Sequence, residues 1–236
     1  MKPVRRAAVA LVLLVACGDD SPTQPDYDPQ LDPADFVPQV TNQFYPLVPG
    51  TTYSYEGGTD EGTETTVVEV LDETKLILGI TATVVRDRVF LDGELIEDTF
   101  DWFAQQNTGD VWYLGEDSKE IENGEVVSTE GSWEAGVDGA KPGIIMWGDP
   151  AAHLNEEYRQ EFYEGVAEDV ATVIGLNEAA EVPYGSFTGC IRTEDRNPLE
   201  SGSAEHKVYC PGVGQVLEEP ADGGGERIEL IEVAEP

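Results

Sequence analysis

Three cysteines are the side chains of this sequence whose positions most clearly imply chemistry. Cys17 lies near the amino terminus, whereas Cys190 and Cys210 lie near the other end, 20 residues apart. A thiol can be acylated, oxidised to a disulfide, or deprotonated to act as a nucleophile or metal ligand. The residues around each cysteine decide between these outcomes.

Cys17 stands in a context typical of covalent lipid attachment. It follows a positively charged start and a short apolar run at 7–15, which has the length of a signal-peptide core and is too short to span a bilayer. The tetrapeptide Leu-Val-Ala-Cys at 14–17 resembles the lipobox of bacterial lipoproteins. The resemblance implies that residues 1–16 are a signal peptide. It also implies that the Cys17 thiol receives a diacylglycerol and that the new amino terminus is acylated, for example with palmitate.

Lipid attachment predicts the location of the protein. Two or three acyl chains hold a protein on a membrane without a transmembrane helix. We therefore expect a membrane-anchored lipoprotein of the cell envelope, on the outer membrane or cell surface, with its domain facing the periplasm or the exterior. The alternatives are a plain secreted protein with a chance cysteine and a twin-arginine route, although Arg5-Arg6 lacks the rest of that signal.

The other two cysteines favour a disulfide. Export permits oxidation, and residues 186–193 and 205–210 have the pattern of two hairpin strands joined by the loop 197–202. If Cys190 faces Cys210, residue 194 faces residue 206. Closing this loop would contribute about 3 kcal/mol. A reactive or metal-binding thiol pair is the rival, but the sequence offers neither a nearby Cys-x-x-Cys motif nor a partner histidine.

A search for a catalytic or metal-binding motif is negative. His153 and His206 are far apart in sequence, and neither belongs to a His-Glu-x-x-His motif. Ser186 lies between glycines without the Gly-x-Ser-x-Gly spacing of a nucleophile elbow. No catalytic residue, metal site or cofactor is predicted.

Carboxylates are so numerous that any one pair carries little information about acid–base catalysis. The best available set combines Glu168 and Asp169 with Asp101 or Glu116. The sequence leaves enzyme activity undecided and favours a protein that is not an enzyme.

Tryptophans are the best candidates for ligand contact. Trp102 and Trp112 fall on predicted neighbouring strands, where aromatic rings usually pack across the sheet. Residues 131–147 contain four glycines and interrupt the strand pattern, as binding loops often do. If this segment covers a cavity, Trp133, Met146 and Trp147 would contact an apolar ligand.

Net charge excludes one class of partner. The chain has 48 Asp and Glu against 13 Lys and Arg, a net charge of -35, which repels nucleic-acid backbones. The simplest interpretation of this acidic protein is a solvated surface, which could be tuned to a saline habitat. Attraction of cations or basic partners, including Ca²⁺, is the alternative, but the acidic residues between 26 and 35 lack the 12-residue calcium loop.

Composition divides the chain into a tether and one domain. Residues 17–43 begin with the lipidated cysteine and are rich in proline and aspartate, with few apolar residues, and we expect a disordered tether there. Residues 44–236 have the size and the apolar content of a single β-rich domain.

The domain pattern predicts an all-β fold. Asp92-Gly93 and Asn123-Gly124 separate strand-like runs and are typical of two-residue hairpin turns. The expected architecture is an antiparallel meander that forms a curled sheet, a half-barrel or a small barrel, with a sandwich as a further possibility. Residues 154–170 have apolar residues at helical spacing, but their surroundings favour a strand.

Several short motifs together resemble those of uncharacterised secreted bacterial proteins and lipoproteins. They lie at 45–51, 101–105, 111–116, 158–162 and 211–214. The resemblance implies a β-rich exported domain and favours strand structure from Tyr158 onward. It supplies no activity and no site residues.

We therefore expect an exported bacterial lipoprotein with a non-catalytic binding domain for an apolar small molecule, a lipid or an envelope protein. One alternative is an envelope scaffold or interaction protein without a cavity, which predicts an exposed apolar patch or sheet edge. Another is a carboxylate-based hydrolase, which predicts clustered acids of raised pKa in a cleft.

Overall fold

The computed structural model describes residues 27–59, 62–199, 204–224 and 227–236. The predicted signal peptide, the predicted lipidation site Cys17 and the first part of the predicted tether, 18–26, lie outside these ranges. Within the described ranges, no helix combines the length and the apolar character that a membrane crossing requires.

Nineteen strands and two short 3₁₀ helices form within the described ranges. The 3₁₀ helices are Pro33–Asp35 and Pro150–His153. The strands are β1 (Phe36–Val37), β2 (Val40–Asn42), β3 (Tyr45–Leu47), β4 (Thr52–Gly58), β5 (Thr63–Ile77), β6 (Ile80–Leu91), β7 (Glu94–Gln106), β8 (Val111–Asp117), β9 (Glu120–Glu122), β10 (Glu125–Ser128), β11 (Trp133–Glu134), β12 (Lys141–Met146), β13 (Glu157–Arg159), β14 (Glu161–Phe162), β15 (Val170–Val182), β16 (Gly185–Arg196), β17 (Ala204–Cys210), β18 (Gly214–Pro220) and β19 (Ile228–Ala234).

The main sheet curls into a nearly closed antiparallel barrel. Strands β4 to β8 pair in sequence order, as do β15 to β19, and β19 returns to pair with β4. On the other side β12 pairs with β8 and β14, while β13 pairs with β15. The short stretch 157–162 therefore joins the two halves. The all-β prediction is confirmed, and of the three expected shapes the barrel is the nearest.

Both predicted hairpins are confirmed. Asp92-Gly93 connects β6 to β7, with φ angles of 48° and 87°, and Asn123-Gly124 connects β9 to β10, with φ angles of 52° and 80°. Two consecutive positive φ angles match the right-handed twist of the flanking strands, and Asn, Asp and Gly adopt them at the lowest cost.

The predicted disulfide is also confirmed. Cys190 and Cys210 are bonded, with their Cα atoms 4.2 Å apart. Glu194 lies opposite His206 between β16 and β17, as the predicted register requires. Both cysteines are fully buried, so the bond links the two strands within the core.

The glycine-rich segment 131–147 is not the predicted irregular loop. It contributes β11 and β12, which both pair with β8. Gly143 allows a close approach of chains, since a Cβ there would lie 2.3 Å from the carbonyl carbon of Gln160. This glycine thus serves sheet packing rather than loop flexibility.

The ambiguous segment from 154 forms strands, as the resemblance implied. β13, β14 and the start of β15 occupy residues 157–174, preceded by the 3₁₀ helix at 150–153. The helical spacing of apolar residues there does not produce an α-helix.

The tether boundary at residue 43 is too late, because residues 27–43 pack against the barrel. The Tyr27 hydroxyl donates a hydrogen bond to the Pro142 carbonyl over 2.8 Å, and its ring contacts Phe162 edge-on. Strand β1 pairs with β7, and Val40 in β2 is 2% exposed. These few apolar residues bury enough surface to order a segment whose average composition resembles a linker.

The β2–β3 hairpin covers one end of the barrel. Asn42 donates from its side-chain amide to the carbonyls of Gly109 and Trp147, over 2.9 and 3.0 Å, and the Gly212 amide donates to the Gln43 carbonyl. These partners lie in the turns or strand ends that surround the same opening. The hairpin thereby places Tyr45 at the barrel interior.

Candidate functional site

The barrel carries two concave sites on opposite sides of its sheet. The outer cleft, of about 1080 Å³, lies on the outer surface and is lined by Tyr27, Trp112, Trp147, Tyr158, Arg159 and Arg196 among others. The interior cavity, of about 380 Å³, lies inside the barrel and is lined by residues that include Tyr45, Tyr55, Asp87, Asp101, Tyr113 and Lys207.

Trp112 and Trp147 come together in the wall of the outer cleft. Successive residues of a strand face opposite sides, so Trp112 faces outward where its neighbour Tyr113 faces inward. Trp112 lies opposite Ile144 on β12, and Trp147 follows directly after that strand. The pairing of β8 with β12 therefore brings two predicted ligand-contacting residues into one site.

Trp147 is held by a stack of rings. Its indole lies parallel to the His153 imidazole, with ring centroids 3.8 Å apart, and meets the Tyr158 ring edge-on at 5.3 Å. The Trp147 Nε1 atom and the Tyr158 hydroxyl are buried and have no hydrogen-bond partner among the residues that the structure describes. Such unpaired groups are uncommon in folded proteins, and both belong to residues that line the outer cleft.

Charges of both signs border the outer cleft. Arg196 is paired with Glu157, and His153 Nδ1 lies 3.1 Å from Glu156 Oε2. The Arg159 guanidinium lies 4.4 Å from the centroid of the Phe162 ring. The cleft thus combines an aromatic floor with a polar rim.

The other three predicted ligand-contacting residues lie in the core instead. Trp133, Met146 and Trp102 are 4%, 1% and 7% exposed, and none of them borders either concave site. Trp133 Nε1 donates to Glu161 Oε2 over 2.9 Å, and Lys75 Nζ lies 3.1 Å above the Trp102 ring. Their burial follows from the strand structure of 131–147, which removes the expected lid.

Buried carboxyl groups form a cluster across the strands. Asp101 on β7 lies opposite Glu116 on β8. Glu116 in turn lies opposite Trp133 on β11, and the Trp133 indole donates a hydrogen bond to Glu161. Burial raises the pKa of Asp101 to about 7, of Glu116 to about 9 and of Glu161 to about 8, and neighbouring carboxylates add to each increase. The hydrogen bonds from Tyr113 to Asp101 and from Trp133 to Glu161 lower the pKa of their acceptors and so reduce the increase.

The carboxylate set named from sequence is only partly assembled. Asp101 and Glu116 are neighbours, and Asp169 raises the pKa of Glu116. Glu168 instead lines the outer cleft, 4.0 Å from Arg159. Among the described residues, no group of three or more His, Cys, Asp or Glu side chains is placed to hold a metal ion.

The interior cavity contains a lysine that sequence inspection missed. Lys207 Nζ lies 3.5 Å from Glu218 Oε2 and 3.8 Å from Asp195 Oδ2. Burial lowers the pKa of Lys207, but Glu218, Asp195, Tyr209 and Glu205 together outweigh that effect, so the pKa is raised well above its ordinary value. Alternation on β17 was the available signal, since Lys207 and the core residue Tyr209 are two positions apart and share a face.

Comparison with known proteins identifies no family for this chain. No family model matches the chain, and no curated protein matches it. A similar solved structure is described as a "putative lipoprotein from Parabacteroides distasonis ATCC 8503". The two chains are 15% identical with a TM-score of 0.45, and the match covers 82% of this chain and 99% of that one. A function for this chain therefore has to come from its own residues.

Proposed function

We propose that the protein is an exported lipoprotein, anchored to the cell envelope through Cys17, whose outer cleft binds a small amphipathic molecule. The observation that carries the binding role is the convergence of Trp112 and Trp147 in one open cleft. Aromatic rings provide a flat apolar surface, and the charged side chains of the rim, which include arginines and glutamates, suit a ligand with a polar edge.

The size of the cleft supports a small ligand. Ligand-binding pockets usually enclose roughly 300–1,000 Å³ and combine apolar walls with a few polar groups, and the outer cleft has about 1080 Å³. A lipid headgroup region or a free aromatic metabolite would both fit this chemistry. The lipobox resemblance of residues 14–17 supports the anchor, and with it the envelope location.

Fluorescence titration with anilinonaphthalene sulfonate, an aromatic anion, tests the binding role. We expect saturable binding to the purified protein, and Trp147→Leu should weaken it by about tenfold, the equivalent of roughly 1.4 kcal/mol. Tyr184→Leu is the matched control, because Tyr184 is 43% exposed and does not border the cleft.

Thermal unfolding separates loss of binding from loss of fold. A Trp147→Leu variant that unfolds like the parent but binds the dye equally well would refute the cleft as the site. Competition by phosphatidylglycerol vesicles, but not by naphthalene sulfonate, would identify a lipid as the ligand; the reverse would identify a free aromatic compound.

An interaction role is a second candidate, because an apolar sheet edge is exposed. Val126 and Val127 on β10 are 54% and 53% exposed, and the described residues pair β10 only with β9. An unpaired strand edge can accept a partner strand. Val126→Lys should abolish capture of an envelope partner and leave dye binding unchanged if this edge, rather than the cleft, carries the function.

The raised pKa values of the buried carboxyl groups agree with the hydrolase alternative, but the structure does not offer these groups an accessible catalytic site. Glu116 and Glu161 border neither the outer cleft nor the interior cavity. Asp101 is tied to Tyr113 by a hydrogen bond of 2.5 Å. A general acid must reach its substrate, so binding is the better supported role.

A further inference from the structure

The interior cavity has an aromatic wall. Tyr45, Tyr53, Tyr55, Tyr113, Tyr209 and Phe103 all border it. Three of the hydroxyls are already used: Tyr53 donates to the Pro46 carbonyl, Tyr55 to the Gln215 carbonyl and Tyr113 to Asp101. What these rings still offer a ligand is therefore mainly their aromatic surface, whose negative face attracts cations.

Asp87 borders this aromatic cavity, and its Oδ1 atom has no partner within the described part of the chain. It lies on β6 between Val85 and Val89, and all three residues border the cavity. Its Oδ1 atom is buried and accepts no hydrogen bond, and no ion pair to Asp87 forms among the described residues. Burial raises the pKa of Asp87 well above its usual range, and Asp101, Glu97 and Glu218 add to this effect more than Lys207 opposes it. A cationic ligand beside Asp87 would favour the ionised form of this carboxyl group.

Lys207 does not supply that cation. Its ammonium group is shared between Glu218 and Asp195. Asp87 and Asp101, which also border the cavity, remain without a cationic partner within 4.0 Å among the described residues. The cavity therefore has an excess of acidic groups even after the lysine is counted.

Three classes of ligand fit poorly. An anion would be repelled by Glu218 and by the ionised forms of Asp87 and Asp101. A metal ion needs several ligands at one point, and no such group exists among the described residues. A purely apolar molecule would leave Asp87 Oδ1 unpaired, which costs about 1–3 kcal/mol.

We propose that the barrel interior is a second binding site, separate from the outer cleft, for a small organic cation whose ammonium group pairs with Asp87. Its alkyl groups contact the surrounding tyrosines. The cavity volume of about 380 Å³ limits the ligand to a small molecule, with an ammonium group and a few further non-hydrogen atoms. This site stands on observations different from those behind the outer cleft and does not depend on them.

Isothermal titration calorimetry with choline tests the proposal. Dimethylbutanol, the uncharged carbon isostere of choline, has the same shape without the charge. We expect choline to bind and the isostere to bind at least about tenfold more weakly, because only the positively charged trimethylammonium group is attracted by the Asp87 carboxylate and by the faces of the tyrosine rings. Asp87→Asn, which keeps the shape of the side chain, should reduce choline affinity by a similar factor.

Two controls separate this site from the rest of the protein. Glu94→Gln removes one negative charge from an exposed position of β7 and should leave choline binding unchanged. Trp147→Leu should also leave it unchanged, because that residue belongs to the outer cleft.

Several results would overturn the proposal. They are equal affinity for choline and its isostere, unchanged choline binding in a folded Asp87→Asn variant, and loss of choline binding in Trp147→Leu. The proposal would also be overturned if neither choline nor the narrower cation butylammonium bound to the protein. Removal of a buried acidic group should not unfold the barrel, and thermal unfolding of Asp87→Asn checks this point.

Discussion

The phenolic hydroxyl of Tyr113 donates a hydrogen bond of 2.5 Å to Oδ1 of Asp101 inside the barrel. Burial raises the pKa of Asp101 to about 7, and this bond lowers it. Tyr113→Phe should therefore raise the pKa of Asp101 further, because the ionised carboxylate loses its donor.

Carbon-13 NMR of the aspartate carboxyl groups measures this shift directly. Tyr53→Phe is a suitable control, because the Tyr53 hydroxyl donates to the Pro46 carbonyl instead. An Asp101 titration that is the same in Tyr113→Phe as in the parent protein would show that the bond does not act as described.

The buried carboxyl groups predict a fall in stability with rising pH. Asp101, Glu161 and Glu116 have pKa values of about 7, 8 and 9 in the folded protein, all above those of the unfolded chain. From about pH 4.5 to about pH 9 the unfolded chain therefore binds fewer protons than the folded one. The free energy of unfolding should decrease across this window, by on the order of 2 kcal/mol or more.

Urea unfolding between about pH 5 and about pH 9 checks this dependence. Glu116→Gln removes one of the three groups and should flatten the slope, whereas the exposed Glu94→Gln should not. A free energy of unfolding that rises over the same interval would contradict the assignment.

The Cys190–Cys210 bond should stabilise the barrel substantially. It closes a loop with a sequence separation of 20 between two adjacent strands, which corresponds to about 3 kcal/mol in the chain-entropy model. Replacement of both cysteines by alanine should lower the free energy of unfolding by about that amount, as measured in guanidinium. Reduction of the parent protein should produce a similar change, and an unaltered unfolding midpoint in both experiments would refute the contribution.

Cys17 should control where the protein is found. Cys17→Ser removes the thiol that the lipobox resemblance marks for acylation, and we expect the protein to move from the membrane fraction to the soluble fraction. Ser21→Ala is the control and should remain with the membranes. Retention of Cys17→Ser on the membrane would exclude this residue as the anchor.

Local turn chemistry made much of the fold predictable. The Asp-Gly and Asn-Gly turns and the spacing of Cys190 and Cys210 each specify a hairpin through nearby residues alone. The turn between β5 and β6 carries no comparable signal, because Leu78 adopts a φ of 51°, which is unusual for leucine. Sequence patterns do not reveal such a turn, since the pairing of two long strands imposes it.

The candidate sites were less predictable because they depend on distant pairings. Trp112 and Trp147 share a cleft only because β12 pairs with β8. Trp133 and Met146 come from the same stretch of chain as Trp147 but turn into the core. The number of glycines in a segment does not show whether they serve a flexible loop or a strand that packs closely against another segment of backbone, as Gly143 does against Gln160.

The contacts of Tyr27 with Pro142 and Phe162 limit the distance between the barrel and the proposed lipid anchor. Ten chain steps separate Cys17 from Tyr27, and a chain of that length reaches at most about 35 Å. Because Tyr27 also lines the outer cleft, that cleft would lie on the side of the barrel nearest the attachment point. Its ligand would then be collected close to the bilayer surface rather than far out in solution.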